Sequence, residues 1–283
     1  MMKMIRRIVS WSDALLVMAS WALVFLTPLF VFSFDLSTML TVISLLLVIF
    51  LGFFFAATTQ NHFRLQALIV SENTTLISLY NLARLIQPKR AKSLSEVIDA
   101  YMISSLDHKL LEHAVPTRVK LDAIIQTVDS LIVTNRRHAS LMQNLHSTKA
   151  QLFSINHEVA LVAKCTMTWH HWIVIVLLTG VFIALILGLR DGSMVAEIFI
   201  MFSIVVLLKV LQLIHEVDGN IFLAKHLAYA SPQPVFEYIG KLPYYPETAL
   251  RHAYVALPTV PYRIGMYKNY PTSFEKVIKK VSR

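Results

Sequence analysis

The chain has 283 residues, 56% of them hydrophobic and 15% charged, with a formal net charge of +9. Soluble domains carry roughly 45–50% apolar and about 25% charged residues, so a soluble enzyme with one core, a fibre and a disordered chain are all excluded. The single cysteine, Cys165, excludes a disulfide framework and any Cys-rich metal site, and the mean hydropathy of +0.59 points to a membrane.

A bilayer core of about 30 Å takes roughly 20 apolar residues as a helix. The first such run is Ala14 to Phe34, interrupted only by Pro28 and closed by Asp35. It is longer than a signal-peptide core and no small-x-small cleavage site follows, so it reads as a retained span. The second run begins at Leu36 and passes Phe53, Phe54 and Phe55 to Thr59. Residues 60–168 then read as helices. The first continues from the second span with Leu65, Leu68, Ile69, Leu76, Leu79, Tyr80 and Ala83 at helical spacing, and stops at Gln87-Pro88. Ser93 and Glu96 have the spacing of a capping box that opens the next helix, and Pro116 is expected to end it. Leu121, Ile124, Ile125, Val128, Leu131 and Ile132 form the clearest amphipathic stripe. A long helix from about Arg136 carries Leu141, Leu145, Leu152, Val159 and Val162 back to the membrane. No glycine falls between Gly52 and Gly180, which suits long helices and argues against a sheet in that region.

The third span runs from Trp172 to Leu189 and the fourth from Met194 to Ile214, joined by Arg190, Asp191, Gly192 and Ser193. From His215 on, the chain holds seven of the ten prolines and eight of the ten tyrosines. Such a tail cannot be one helix and is too aromatic for plain disorder. It is expected to be ordered and extended, draped over the helical block or over a neighbouring subunit.

Basic residues set the orientation. Lys3, Arg6 and Arg7 precede the first span, Arg64 follows the second, Lys164 precedes the third, and Lys209 and Lys225 bracket the exit of the fourth. The short hairpin turns contain only Arg190. Both termini and the long middle segment are therefore expected on the cytoplasmic side. The excess of positive charge then reports loops facing anionic lipid rather than nucleic-acid binding. Trp11, Trp21, Trp169 and Trp172 read as interfacial belts, with His170 and His171 as anchors between the last two.

No phosphate loop, zinc-binding His-Glu-x-x-His, nucleophile elbow or Cys pair occurs. His108 with His113, and His138 with His146, have no metal-ligand spacing, and Cys165 reads as structural. No enzyme, cofactor or metal site is expected. Glu197 and Lys209 are the ionisable groups inside a span and are functional candidates by default. They lie near opposite ends of the fourth span and point about 120° apart on a helical wheel, so each can snorkel instead of pairing. In the second span, Thr41, Ser44, Gly52, Phe55, Ala56, Thr59 and His62 share one side, with Phe53 and Phe54 turned away. Such a stripe fits close helix packing or a water-contacting pore wall with Phe55 as an apolar constriction.

The run Ser71-Glu72-Asn73-Thr74-Thr75-Leu76-Ile77-Ser78-Leu79-Tyr80-Asn81-Leu82-Ala83-Arg84-Leu85, set in a layout of two spans, helical block, two spans and tail, resembles the bestrophin-like membrane proteins of bacteria. A weaker echo is Val217-Asp218-Gly219-Asn220 followed by Ser231-Pro232. The resemblance covers about residues 40–240. The chain departs from it in lacking the Pro-Phe pair after the fourth span and in carrying Thr59-Gln60-Asn61-His62 where charged residues are usual. The acidic cluster of the calcium clasp in animal members is absent, with Asp218 alone, so calcium gating is not carried over. The resemblance implies a homo-oligomeric ring, a pentamer, with the second span lining an axial pore that conducts ions, anions more often than cations.

The expected fold is thus an all-α membrane protein of four transmembrane helices with a large cytoplasmic helical domain. It divides into a first hairpin (1–59), a cytoplasmic helical domain (60–168), a second hairpin (169–214) and a Pro/Tyr-rich cytoplasmic tail (215–283). The expected function is an oligomeric ion channel of the bacterial inner membrane, with Thr41, Ser44, Phe55, Thr59 and His62 lining the pore. Its partners are further copies of itself, inorganic ions and lipid, and no nucleic acid. A scaffold without conduction is one alternative. A stator-like proton channel is another, disfavoured because the third and fourth spans contain no proline.

Overall fold

The computed structural model describes residues 11–28, 36–108, 114–132, 139–163, 166–220, 228–252, 254–255, 258–270 and 273–282. Lys3, Arg6, Arg7, Asp35, His113, Arg136, His138, Lys164, Cys165 and Lys225 lie outside them. The chain forms two compact units, Met1–Gln60 with Thr166–Gly219 and Asn61–Cys165 with Asn220–Arg283.

The first unit is helical. Helix α1 (Trp11–Leu26) precedes the upper part of α2 (Leu36–Ile86), and α6 (Trp169–Gly188) and α7 (Met194–Asp218) form a hairpin. Three of these, α2, α6 and α7, are long and apolar enough to cross a membrane. Of the expected first span, Ala14 to Phe34, the described residues reach only to Pro28. Helix α1 stops at Leu26, with the Thr27 hydroxyl donating to the Leu23 carbonyl oxygen at 2.6 Å. Pro28 cannot donate a backbone N–H and disfavours helical geometry at the residue before it. The apolar part, Ala14–Leu26, covers about 20 Å at 1.5 Å per residue. Helix α1 packs along α7, and Phe54, Met167, Ile175 and Ile214 form a small buried cluster. In the hairpin turn, Gly192 has a φ of 78°, where a side chain would be strained.

The second unit holds the lower part of α2, then α3 (Pro88–Asp107), α4 (Ala114–Asp129) and α5 (Ala139–Val162). The break at Gln87-Pro88 is where it is expected, and proline takes the first helical position, where its missing N–H costs nothing. Two expected boundaries move. Ser93 and Glu96 lie inside α3 and cap nothing, because Pro88 already starts the helix, and Pro116 falls in the first turn of α4, which also tolerates it. The expected stripe is buried at Leu121, Ile124 and Val128 of α4 and at Leu131 just beyond it, while Ile132 is exposed. These side chains join Leu76, Leu79 and Ala83 of α2, Leu94, Ile98 and Tyr101 of α3, and Leu145 and Leu152 of α5 in one core.

The tail completes that core. After a short turn, α8 (Ala228–Ala230), it forms α9 (Gln233–Tyr238), β1 (Tyr244–Pro246), α10 (Glu247–Arg251), β2 (Tyr262–Tyr267) and β3 (Lys276–Val281). Val235, Phe236 and Tyr244 are fully buried against the helices. The strands form one sheet in the order β1-β2-β3, parallel between the first two and antiparallel between the last two. Sequence reading gives an ordered tail. The sheet, and its seat on the chain's own helical block, come only from the structure.

Candidate functional site

Helix α2 has 51 residues, about 75 Å at 1.5 Å per residue. Its buried residues Leu47, Phe54, Thr58, Leu65, Ile69, Glu72, Leu76, Leu79 and Ala83 share one face, sparsely in the upper part and regularly from Leu65 on. The opposite face is open, at Leu45, Ile49, Gly52, Ala56, Gln60, Phe63, Ala67, Val70, Thr74 and Ser78. This open stripe carries no formal charge.

The five expected pore residues lie on the flank of that stripe. Thr41 is exposed and Ser44 half-buried, and their hydroxyls donate to the Ser37 and Thr41 carbonyl oxygens, both at 2.9 Å. Phe55 is 40% exposed, and Thr59 and His62 are half-buried, with His62 beside Asn220. Of the neighbouring phenylalanines, Phe54 is 7% exposed while Phe53 is 66% exposed. Both point away from the Phe55 side by helical geometry, Phe54 inward and Phe53 outward. By helical geometry Phe53 and Phe55 flank the open stripe on opposite sides, about 160° apart. At Gly52 no atom lies within 4 Å of where a Cβ would sit, so close packing within the chain does not account for that glycine.

Glu197 and Lys209 do not meet. The Arg190 guanidinium donates to Glu197 Oε1 at 2.7 Å and to the Thr27 carbonyl and hydroxyl oxygens at 3.0 and 2.9 Å. The Arg190 and Glu197 side chains are only 5% and 14% exposed. The pair ties the end of α1 to the α6–α7 hairpin, so Glu197 is held by a partner rather than snorkelling. Lys209 donates to Gln212 Oε1 at 3.0 Å, and Gln212 donates in turn to Glu216 at 3.0 Å, a polar ladder along α7.

Two further residues act locally in ways the sequence does not announce. Asp218 is buried and accepts the backbone N–H groups of Thr166 and Met167 at 2.8 and 3.0 Å, fixing the chain that enters α6. His171 accepts the Thr168 N–H at 3.2 Å on Nδ1, and its ring lies 5.0 Å from that of Phe54. It is a helix cap and a packing partner, not simply an interfacial anchor. The only sequence signal is its place three residues after Thr168, a capping-box spacing with histidine in the Glu/Gln position.

In the second unit, Glu72 of the Ser71–Leu85 run is buried. It accepts from the Tyr101 hydroxyl and from Asn156 Nδ2 at 3.4 Å. Burial, followed by the Glu72 charge, raises the Tyr101 pKa well above the usual phenol range and keeps it a donor. Asn73 donates to the carbonyl and hydroxyl oxygens of Ser231 at 3.1 and 2.8 Å. The motif of the run thus joins α2, α3, α5 and the tail. Among the described residues no group of His, Cys, Asp or Glu could hold a metal ion.

No curated protein matches the sequence. Similar solved structures include two crystal structures of a bacterial bestrophin homologue from Klebsiella pneumoniae. One is 14% identical with a TM-score of 0.57, over 82% of this chain and 97% of that one. The other, a point variant, is 13% identical with a TM-score of 0.59, over 80% and 95%. At that identity the likeness establishes the fold. The family model for the bestrophin-like domain matches residues 36–218, from the start of the long helix to the end of α7. Spanning well over half of the 283 residues, that match makes the chain a membrane protein of the bestrophin-like family.

Proposed function

We propose that the chain is an ion channel in which copies assemble as a ring, a pentamer, around an axial path lined by α2. The observation that carries this reading is the open, uncharged face of α2 opposite the face that holds its buried residues. In a symmetric ring each open position recurs around the axis, so large apolar side chains form a narrow, water-poor neck. Phe55 supplies the constriction, Thr41 and Ser44 lie above it, and Thr59 and His62 lie one and two turns below. The resemblance to bestrophin-like proteins favours anions as the conducted species, and a basic cytoplasmic domain is consistent with drawing them in. The Lys and Arg distribution favours cytoplasmic termini in a bacterial inner membrane.

The test is ion flux through purified protein in liposomes. Phe55→Ala should raise conductance, and Phe53→Ala should leave it unchanged. The greater exposure of Phe53 makes the pair decisive: unchanged currents in Phe55→Ala beside altered ones in Phe53→Ala move the neck to the other flank of the stripe. Absence of flux under any polarity or pH, with the oligomer verified, returns the chain to the scaffold reading.

A further inference from the structure

Strand β3 contributes little to the core, since four of its six residues are exposed, Val277, Ile278, Lys279 and Lys280. The sheet that holds it is nevertheless anchored on α3 by two buried carboxylates. Asp99 takes the Arg263 guanidinium in a bidentate pair at 2.8 and 2.6 Å, and Arg263 lies 5.2 Å above the Phe236 ring. Asp107 accepts the Tyr244 and Tyr267 hydroxyls at 2.7 and 2.6 Å and contacts the Lys276 ammonium. Gly265 makes this possible: a Cβ there would run into the Tyr244 hydroxyl. Strand β1 on one side is entirely buried. On the other side, β3 is the last strand, and among the described residues nothing pairs with its outer edge.

The register fixes which backbone groups are free. The Lys268 N–H donates to the Glu275 carbonyl oxygen at 3.0 Å, and the pairing continues through Tyr267 with Lys276 to Tyr262 with Val281. Opposed residues in an antiparallel pair alternate between bonded and non-bonded. Val277, Lys279 and Val281 therefore bond β2, whereas Lys276, Ile278 and Lys280 present their N–H and C=O groups outward.

We propose that this outer edge is a docking strand for an acidic, extended segment of another protein, which adds to the sheet as a fourth strand. Backbone pairing supplies affinity, Val277 and Ile278 offer apolar contact on the two faces, and Lys279 and Lys280 select carboxylates. The rigid seating on α3 means little ordering accompanies binding. A second copy of β3 is a poorer occupant, because antiparallel self-pairing about Ile278 or Lys279 brings lysines opposite lysines. This inference does not depend on conduction.

The experiment uses the full-length protein in detergent and a labelled octapeptide of alternating Glu and Val, with a Lys/Val peptide and anionic vesicles as controls. The acidic peptide should bind saturably and the basic one should not. Ile278→Pro removes one outward N–H and leaves the β2 ladder intact, as proline does on an edge strand. It should weaken binding about tenfold with helical content and melting unchanged. Lys279→Glu with Lys280→Glu should reverse the preference between the two peptides. The proposal is overturned if the acidic peptide does not bind. It is equally overturned if binding survives Ile278→Pro, if vesicles compete as well as the peptide, or if the chains pair with each other through β3.

Discussion

The two units stabilise themselves by opposite means. In the membrane unit the described helices leave most large apolar side chains exposed, such as Leu45, Val48, Phe53, Val176, Leu177, Phe199 and Val206, and bury only a handful. Lipid is as apolar as leucine, so apolar area gives little reason for helices to associate there. The specific ties are polar and sit at the ends: Arg190 with Glu197 and Thr27, and Asp218 with Thr166 and Met167. The second unit buries a water-driven apolar core and pins its tail with Asp99 and Asp107. Helix α2 belongs to both, and only its lower part, from Leu65 down, shows regular burial every three or four residues.

The largest effect expected from this contrast is at Asp107. Asp107→Ala leaves the Lys276 ammonium, the buried Tyr244 phenol and the half-buried Tyr267 phenol without their acceptor, and removing one side of a buried pair costs about 3–5 kcal/mol. Denaturant or thermal unfolding of the second unit should show that loss with the membrane helices intact; a loss under 1 kcal/mol (roughly, the worth of an exposed pair) would mean the cluster is open to water. Next comes Arg190→Ala, which strands Glu197 and should cost about 2–4 kcal/mol. The double variant with Glu197→Ala should recover part of it, read as a non-additive shift in melting temperature in detergent. If the double variant is as unstable as the sum of the two singles, the pair is not coupled.

Tyr101→Phe should cost about 1–3 kcal/mol, because Glu72 keeps only Asn156 as a buried donor. Here the comparison sharpens, since the change lies in the second unit and should leave flux per folded oligomer unaltered. The smallest effect on stability is at Phe55, exposed on α2, where alanine should cost less than about 1 kcal/mol while changing conductance. A stability loss comparable to that of Phe54→Ala would place Phe55 in a packed interface instead.

Much of the fold is legible in the sequence, and the reasons differ by region. Three spans announce themselves as uninterrupted apolar runs, because the bilayer imposes a length. Pro88 breaks the helix where the sequence places it, since the missing N–H is a local matter. The stripe of α4 reads correctly because one face meets water. Inside the membrane that signal is weak: both faces of the upper part of α2 are apolar, so a wheel built on its few polar residues places Thr41, Ser44 and Phe55 on one side, beside an open face centred on Leu45, Ile49, Gly52 and Ala56.

What the sequence determined by itself is the membrane character, the long uninterrupted helices and the family, all of which follow from composition, local breaks and a contiguous motif. What only the tertiary structure decided are the pairings across distance: Arg190 with Thr27, 163 positions apart, Asp99 with Arg263, 164 apart, and Asp107 with Tyr244, 137 apart. A lone Asp or Tyr in sequence carries no mark of its partner. Its role depends on where burial removes water and leaves a charge or hydroxyl with one place to go. The C-terminal sheet belongs to the same class: Gly265 reads as an ordinary glycine until the Tyr244 ring is seen lying across it.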